Sequence, residues 1–511
     1  MTFASALLDK GERVASNRMW QRVVVDEKVW REAILGVGTG EATMLGLWCD
    51  GEAVHMALLE PANGAAGRLV AVVSLAISER SYPSVAMTHP PALRLERAIR
   101  DLYGVEPIGL PDTRPWLDHG RWGIAQPLGQ RLADAARTVP YTFHRADGPP
   151  LHQIPVGPVH AGIIEPGHFR FSASGETVVR LEERLGYVHK GIEGLMVHAS
   201  IERASQVAGR VSGDSTVAFA LAFAMAVETA LGVKVSSRAQ HIRAVMAELE
   251  RLANHFGDIG AICNDASFSL MHAHCGALRE RILRACDACF GHRLMMDRVL
   301  PGGVAVDLGD NGPQYLHLLI DQIRASFPKL AELYDNTTSL QDRTAGTGVL
   351  TAELARQYGA GGPVGRASGR AFDARTAVGY APYHELAFAP ALRREGDVDA
   401  RVWVRFFEIE QSLSIIEQIL RRLPQGAARV DLPRTTSTGE SAEGLALVEG
   451  FRGDVLAWVR IGGDGVVVRA HLRDPSWFQW PLLEAAIEGN IVADFPLCNK
   501  SFNCSYSGHD L

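Results

Sequence analysis

The residue types best suited to hold a metal are Cys286 and Cys289 in RILRACDACFGHR, with His272, His274, Cys275 and His292 nearby. Thiolates at Cys-x-x-Cys spacing, with imidazoles in reach, form zinc and redox sites. The same segment, however, sets Ile282, Leu283, Cys286, Cys289 and Phe290 on one face of a helix. A cysteine on such a face acts as a small buried hydrophobe, so the sequence predicts no metal here. Cys498 and Cys504 are six apart with no histidine between them and are read the same way. Cys49 and Cys263 bring the total to seven, odd in number and irregular in spacing, which predicts reduced thiols and no disulfide framework. Gly302, Gly303 and AGTGVL at 345–350 follow no strand-to-helix phosphate pattern, so no dinucleotide fold is expected.

The elements that must position such groups fall into two parts. In the first, LVAVVSLAI at 69–77 is a β-rich apolar run and predicts a strand. LRLERAIRDLYGV at 93–105 predicts a short helix stopped by Gly104. A polar stretch with Pro107, Pro111, Pro115 and Gly-Pro-Pro at 148–150 suits an exposed connection. Long helical patterns then begin. SSRAQHIRAVMAELERLANHF at 236–256 carries one apolar stripe, with Ser236 or Ser237 as a cap. The run at 402–420 repeats the habit, and 463–473 reads as a strand after a Gly-rich turn. The expected fold class is α+β: a small α/β domain over residues 1–145, then a large, mostly helical bundle over 151–511 with a minor β portion near its end.

Composition narrows the function. The chain of 511 residues is 47% hydrophobic and 21% charged, an ordinary globular balance. Its net charge of −7 disfavours nucleic acid as a partner, because phosphate binding needs an excess of cations. The first twenty residues lack the basic start and apolar core of a signal peptide, so none is expected. TVAFALAFAMAVETALGV at 216–233 approaches membrane-spanning length, but Glu228 interrupts it and a helix buried in the bundle is expected.

Several motifs recur in a family order. They are GPVHAGIIEPGHFRF (157–171), GYVHKGIE (186–193), RVSGDS (210–215), AELERLANHFGDIG (247–260), GPVGRASG (362–369), DPS (474–476) and DFPLCNKSFNCSYSGHDL (494–511). Together they resemble the large subunit of group 4 membrane-bound nickel–iron hydrogenases and its relative, the 49 kDa subunit of respiratory complex I. SYPSV (81–85) and ERAIRDLYG (96–104) resemble the 30 kDa subunit of complex I. That fusion is the architecture of the formate hydrogenlyase and hydrogenase-4 large subunits.

The resemblance places the family's nickel thiolates at Ser212 and Ser215, between Arg210 and Phe219, and at Ser476 and Gln479, after Asp474. A neutral serine hydroxyl is a hard ligand and does not replace a thiolate for nickel. The sequence therefore predicts no metal centre and no cofactor held by this chain. The complex I likeness implies a quinone at the same cavity. The histidine of that likeness is matched by His168, with His160 as the other candidate, while its tyrosine position falls at about Gly213.

Other roles follow from the same likeness. Glu165 stands near a proton-gating glutamate of hydrogenases, so Glu165, His168 and Glu193 are candidates for proton relay or quinone contact. Glu193 is expected to share a helix face with His189. Arg210, Ser212, Asp214, Ser215, Asp474, Ser476 and Gln479 are expected to line the cavity, with Arg210 and Asp214 as a buried ion pair. Glu248, Arg251, Asn254 and His255 are expected to form a buried hydrogen-bond network. Arg366, Asp373 and Arg375 are expected in a loop on a partner face.

The function implied is that of a hydrogenase-like large subunit, without its nickel–iron centre, that couples electron transfer to ion translocation. It would be a peripheral protein on the cytoplasmic face of the membrane. An iron–sulfur cluster would sit on a small partner subunit, and antiporter-like subunits would provide the membrane contact. Two alternatives stand beside this: a quinone-reducing subunit of the NADH–quinone oxidoreductase type, and a non-catalytic scaffold.

Overall fold

The computed structural model describes all residues except 1, 15–19, 61–69, 130–132, 135–139, 147 and 149. The N-terminal part is built on a five-stranded sheet. Its strand order is Glu12–Arg13, Gln21–Val25, Val70–Ala76, Ala53–Leu59, Thr43–Cys49. Neighbours run antiparallel, apart from the parallel pair of Gln21–Val25 with Val70–Ala76. The strand read at 69–77 is therefore present, with Leu69 outside the described residues. The helix Glu27–Thr39 begins at Asp26, whose carboxylate accepts the Val29 N–H at 2.9 Å, and closes on left-handed Gly40. The expected helix runs Leu93–Tyr103 and ends, as read, on left-handed Gly104.

The strands Thr43–Cys49, Ala53–Leu59 and Val70–Ala76 are apolar at nearly every position, not at every second one. A sheet covered on both faces requires that pattern. One face packs on the Phe3–Lys10 and Glu27–Thr39 helices. The other brings Trp48, Ala57, Leu59 and Val72 against Leu445, Leu456 and Trp458 of a second sheet. That second sheet is the antiparallel meander Ala442–Gly450, Gly453–Ile461 and Val467–Arg473. The two parts of the chain therefore share a core.

The stretch expected as an exposed connection is largely exposed or half-buried among its described residues, with one marked departure. Trp116 and Leu117 are 1% exposed, in a core that both parts build. Arg94 and Arg97 lie over the Trp116 ring at 4.6 and 4.7 Å. Cation–π contact lets a polar, proline-rich segment anchor inside the protein.

The second part is a helical bundle around Ser237–Asp265, which packs against Ser269–Phe290 and Val398–Arg421. Ser236 is its cap, accepting the Ala239 N–H at 3.1 Å. The apolar Thr216–Leu231 helix lies on the Ala442–Gly450 strand. Together with the turn before it, as Gly213–Leu231, it is the one helical stretch among the described residues long and apolar enough to cross a membrane, and 83% of its most apolar window is buried in the protein. Its alanines allow a close crossing. At Gly444 of the strand, a Cβ would lie 1.9 Å from the Ala226 carbonyl oxygen. The β portion is larger than expected, since a three-stranded sheet, Leu151–Val156, His168–Ser174 and Thr177–Arg184, also opens this part.

Candidate functional site

The positions Ser212, Ser215, Ser476 and Gln479 converge although they come from two distant segments. Ser212–Ser215 forms the turn into the Thr216–Leu231 helix. Asn254, on the central helix, holds that turn by donating to the Asp214 carbonyl at 2.8 Å. Ser476 starts the Ser476–Ile487 helix, where Asp474 accepts the Ser476 N–H at 2.8 Å. Ser505, in the C-terminal tail, joins the two segments. Its hydroxyl donates to Ser212 Oγ at 3.3 Å, and its N–H donates to Ser476 Oγ at 2.8 Å.

Arg452 organises the centre. It sits in the hairpin between the strands Ala442–Gly450 and Gly453–Ile461. Its guanidinium takes both carboxylate oxygens of Asp214, at 2.9 and 2.5 Å, and donates to Ser215 Oγ at 3.0 Å and to the Asn503 carbonyl at 2.5 Å. The Ser212 hydroxyl donates to Asp214 at 2.5 Å. Gln479 donates to the Arg452 and Gly361 carbonyls at 2.8 and 3.2 Å. A bidentate guanidinium–carboxylate pair is among the strongest polar contacts a protein makes. Burial raises the Asp214 carboxyl, but the Arg452 charge and its hydrogen bonds overcome this and hold it down to about 2. Asp474 lacks such a partner. Burial pushes its carboxyl up, and its Oδ2 has no hydrogen-bond partner among the described residues.

Beside this pair lies a cavity of about 330 Å³ walled by Glu165, Ser212, Asp214, Arg452, Lys500 and Tyr506. Of the residues expected to line it, Ser215, Asp474, Ser476 and Gln479 are buried and do not wall it, and neither does Arg210. The donor set is hydroxyls, an amide and one carboxylate already neutralised by a guanidinium. That set does not fit a nickel–iron centre, which needs anionic thiolates. The one thiol on the cavity wall is Cys504, and burial drives it well above its ordinary value, against the thiolate.

The other candidate residues divide. Glu165 reaches the cavity, is exposed, and accepts the Ser507 N–H at 3.0 Å. His168 lies on the strand His168–Ser174, away from the cavity wall. Its Nδ1 meets the Gly157 carbonyl at 3.2 Å and its Nε2 accepts from Arg170 at 3.3 Å. Burial, with Arg170 close by, lowers its pKa. His160 is nearer, with its Nε2 3.4 Å from the Tyr506 hydroxyl.

Two pairings differ from expectation. Arg210 is an exposed residue that pairs with Asp297 at 2.6 Å, and the partner of Asp214 is Arg452. Glu193 pairs with His471 at 2.7 Å, not with His189, because the helix starts at Ile192 and His189 precedes it. His189 instead stacks on Trp122 and bonds the Asp510 carbonyl.

Of the network expected on the central helix, Glu248, Arg251 and His255 are joined in a larger one, while Asn254 is half-buried and bonds the Asp214 and Glu250 carbonyls instead. Glu248 accepts from Arg375, Tyr383, Ser412 and Arg251 at 2.6–3.2 Å. His255 pairs with Glu408 at 2.7 Å, and Arg366 bridges Glu408 and Glu449 at 2.7 and 2.8 Å. Arg366, Asp373 and Arg375 are at most 1% exposed. They lie in this network inside the protein and not on a partner face, because their charges are matched within the chain. All seven cysteines are free, and among the described residues no group of three or more His, Cys, Asp or Glu side chains could hold a metal ion.

Comparison with known proteins gives a consistent set. The family "Respiratory-chain NADH dehydrogenase, 49 Kd subunit" matches residues 265–510, and the family "Respiratory-chain NADH dehydrogenase, 30 Kd subunit" matches residues 51–134. Formate hydrogenlyase subunit 5 of Escherichia coli is 31% identical, over 86% of this chain and 78% of that protein. Hydrogenase-4 component G of the same organism is 32% identical, over 84% and 76%. The NADH-quinone oxidoreductase C/D protein of Phocaeicola vulgatus is 30% identical, over 76% and 79%. Among solved structures, a chain of the membrane-bound sulfane sulfur reductase, an archaeal respiratory membrane complex, superposes with a TM-score of 0.66 at 27% identity, covering 71% of this chain and 98% of that one.

Proposed function

Because this chain belongs to the family of membrane-bound hydrogenase large subunits and complex I 49 kDa subunits, fused to a unit of the 30 kDa kind, we propose that it is the large subunit of a membrane-associated oxidoreductase without a nickel–iron centre. The observation that carries this reading is the replaced ligand set. Ser212, Ser215, Ser476 and Gln479 meet in space, and the Asp214–Arg452 pair stands among them. The chain then works by coupling. An electron arriving on a neighbouring iron–sulfur protein changes the field at the Asp214–Arg452 pair, and the hydrogen-bonded Ser212, Ser505 and Ser476 carry the response into the bundle. Antiporter-like membrane subunits receive it, and the chain sits on the cytoplasmic face as a peripheral protein.

The test uses the complex purified from its native membrane. Metal analysis is expected to find iron but no stoichiometric nickel, and hydrogen uptake is expected to be absent. One nickel per chain, or hydrogen uptake above background, overturns the reading. Asp214→Asn in the assembled complex is expected to reduce ion translocation more than electron transfer. Unchanged translocation would leave the alternative of a scaffold.

A further inference from the structure

The charges buried around the central helix do not balance. Among the described residues, four carboxylates, Glu248, Asp373, Glu408 and Glu449, share three guanidiniums, those of Arg251, Arg366 and Arg375. All seven are at most 2% exposed. The pairs beside them, Arg405 with Asp258 and Arg473 with Asp454, are one to one. His255, which meets Glu408, adds no charge, because burial lowers its pKa. One negative charge is left over, and an uncompensated buried charge is costly. At this depth a hydrated counter-ion does not reach the carboxylates, and the smallest cation, a proton, fits.

Hydrogen bonds decide which carboxylate takes it. An ionised carboxylate has about four lone-pair sites. Glu248 fills them with donors from Arg251, Arg375, Tyr383 and Ser412. Asp373 takes the backbone N–H, Nε and a terminal nitrogen of Arg375, with Arg366 3.7 Å away. Glu408 takes Arg366 and His255, each at 2.7 Å, with Arg251 at 3.8 Å. Glu449 takes the Arg366 guanidinium at Oε1 and the Ala374 N–H at Oε2, both at 2.8 Å. Each of its oxygens keeps a lone pair for a proton. Burial, with the Asp373 charge and more weakly that of Asp454, outweighs Arg366 and Arg251 and pushes the Glu449 carboxyl up to about 7.

The surroundings give this carboxyl a neighbour on either side. The Glu449 N–H donates to the Tyr380 hydroxyl at 3.2 Å, and Tyr380 walls a cavity of about 650 Å³. Arg251 donates to the Glu449 and Gly450 carbonyls at 2.8 and 2.9 Å, and in the hairpin that follows Arg452 holds Asp214.

We propose that this buried network holds one exchangeable proton, carried by Glu449. A part for that proton in coupling rests on the function proposed above; the proton site itself does not, and its test needs no electron transfer.

The test is infrared spectroscopy of the full chain, unaltered minus Glu449→Gln, from pH 5 to 9 in H2O and D2O. The difference is expected to show one carboxylic-acid C=O band that shifts down in D2O, is present at pH 5, fades about pH 7 and is gone at pH 9. A difference without an acid band above pH 5, or a band indifferent to D2O, overturns the proposal. Urea unfolding gives a second readout. A carboxyl raised on folding loses its stabilisation as pH rises from its unfolded value of 4.5 to its folded one. The midpoint of Glu449→Gln is therefore expected to gain on that of the unaltered chain between pH 5 and 8, and a constant gap overturns the proposal. If Glu449→Gln does not fold, Glu408→Gln serves. It removes one of the four negative charges, the network balances, and the acid band of the unaltered chain at pH 6 is expected to weaken by one carboxyl. Persistence of the full band in that variant overturns the proposal.

Discussion

Removing the Arg452 guanidinium tests the centre most directly. Arg452→Met keeps the apolar stem of the side chain and deletes four hydrogen bonds, two of them to Asp214. Arg452 is 6% exposed at its side chain and Asp214 is 36% exposed. A fully buried pair loses about 3–5 kcal/mol when one partner is removed. Water reaches a third of Asp214 and screens the charge left behind, so the expected loss is about 2–3 kcal/mol. The carboxyl gives an independent figure. Its fall from 3.8 to about 2 corresponds to about 2.5 kcal/mol before screening and about 1 kcal/mol after it. The group's pKa is lowered on folding, so its stabilisation is present above pH 3.8 and fades as pH falls toward 2. Urea unfolding at pH 6 of the unaltered chain, Asp214→Asn, Arg452→Met and the double variant gives the coupling between the two residues. The cycle is expected to show about 1–2 kcal/mol, shrinking at the acid end. Additivity within about 0.3 kcal/mol would refute the reasoning, since it would mean the pair holds nothing together.

Three further outcomes are expected. Glu250, which accepts the Val217 and Ala218 N–H groups at 2.7 and 3.1 Å, is pushed up to about 8, chiefly by burial. A carboxyl raised on folding stabilises below its unfolded value of 4.5 and loses that contribution as pH rises to 8. Glu250→Gln should therefore gain on the unaltered chain by on the order of 2–4 kcal/mol between pH 5 and 8, and a pH-independent difference in urea midpoints would contradict this. Gly444→Ala must push the Thr216–Leu231 helix off its strand and should cost about 3 kcal/mol or more; a thermal shift of less than a degree would show that the crossing is loose. Burial pushes the half-buried Cys289 thiol up to about 11, so iodoacetamide at pH 8 should label Cys289 slowly and the six buried thiols more slowly still, and mass spectrometry finding any cysteine labelled at the rate of a free thiol would contradict the burial.

The elements were legible where a local rule decides them. Ser236 caps its helix and Gly104 ends its own, because capping depends on a few neighbouring residues. The apolar face holding Cys286 was legible by helical period, and Cys286 is 1% exposed. Pairings were not legible. Arg210 and Arg452 are both arginines beside plausible carboxylates, and only the hairpin after Gly450 brings one of them to Asp214. Glu193 finds His471 across the chain, a partner that no spacing announces. Arg366, Asp373 and Arg375 read as surface because charged residues are seldom buried. They are buried because Glu248, Glu408 and Glu449 are buried with them. Ser505 lies in the C-terminal motif at 494–511, but its role was not legible there, since a tail serine becomes informative only once it is seen between Ser212 and Ser476.

Arg452 also changes what the centre needs in order to be complete. A bound metal brings a charge that must be loaded, can be stripped by a chelator, and can gain or lose an electron. The guanidinium brings a charge that is made with the chain, survives any chelator, and stays positive across the whole range of pH in which the protein is folded. The field at this centre is thus set at translation.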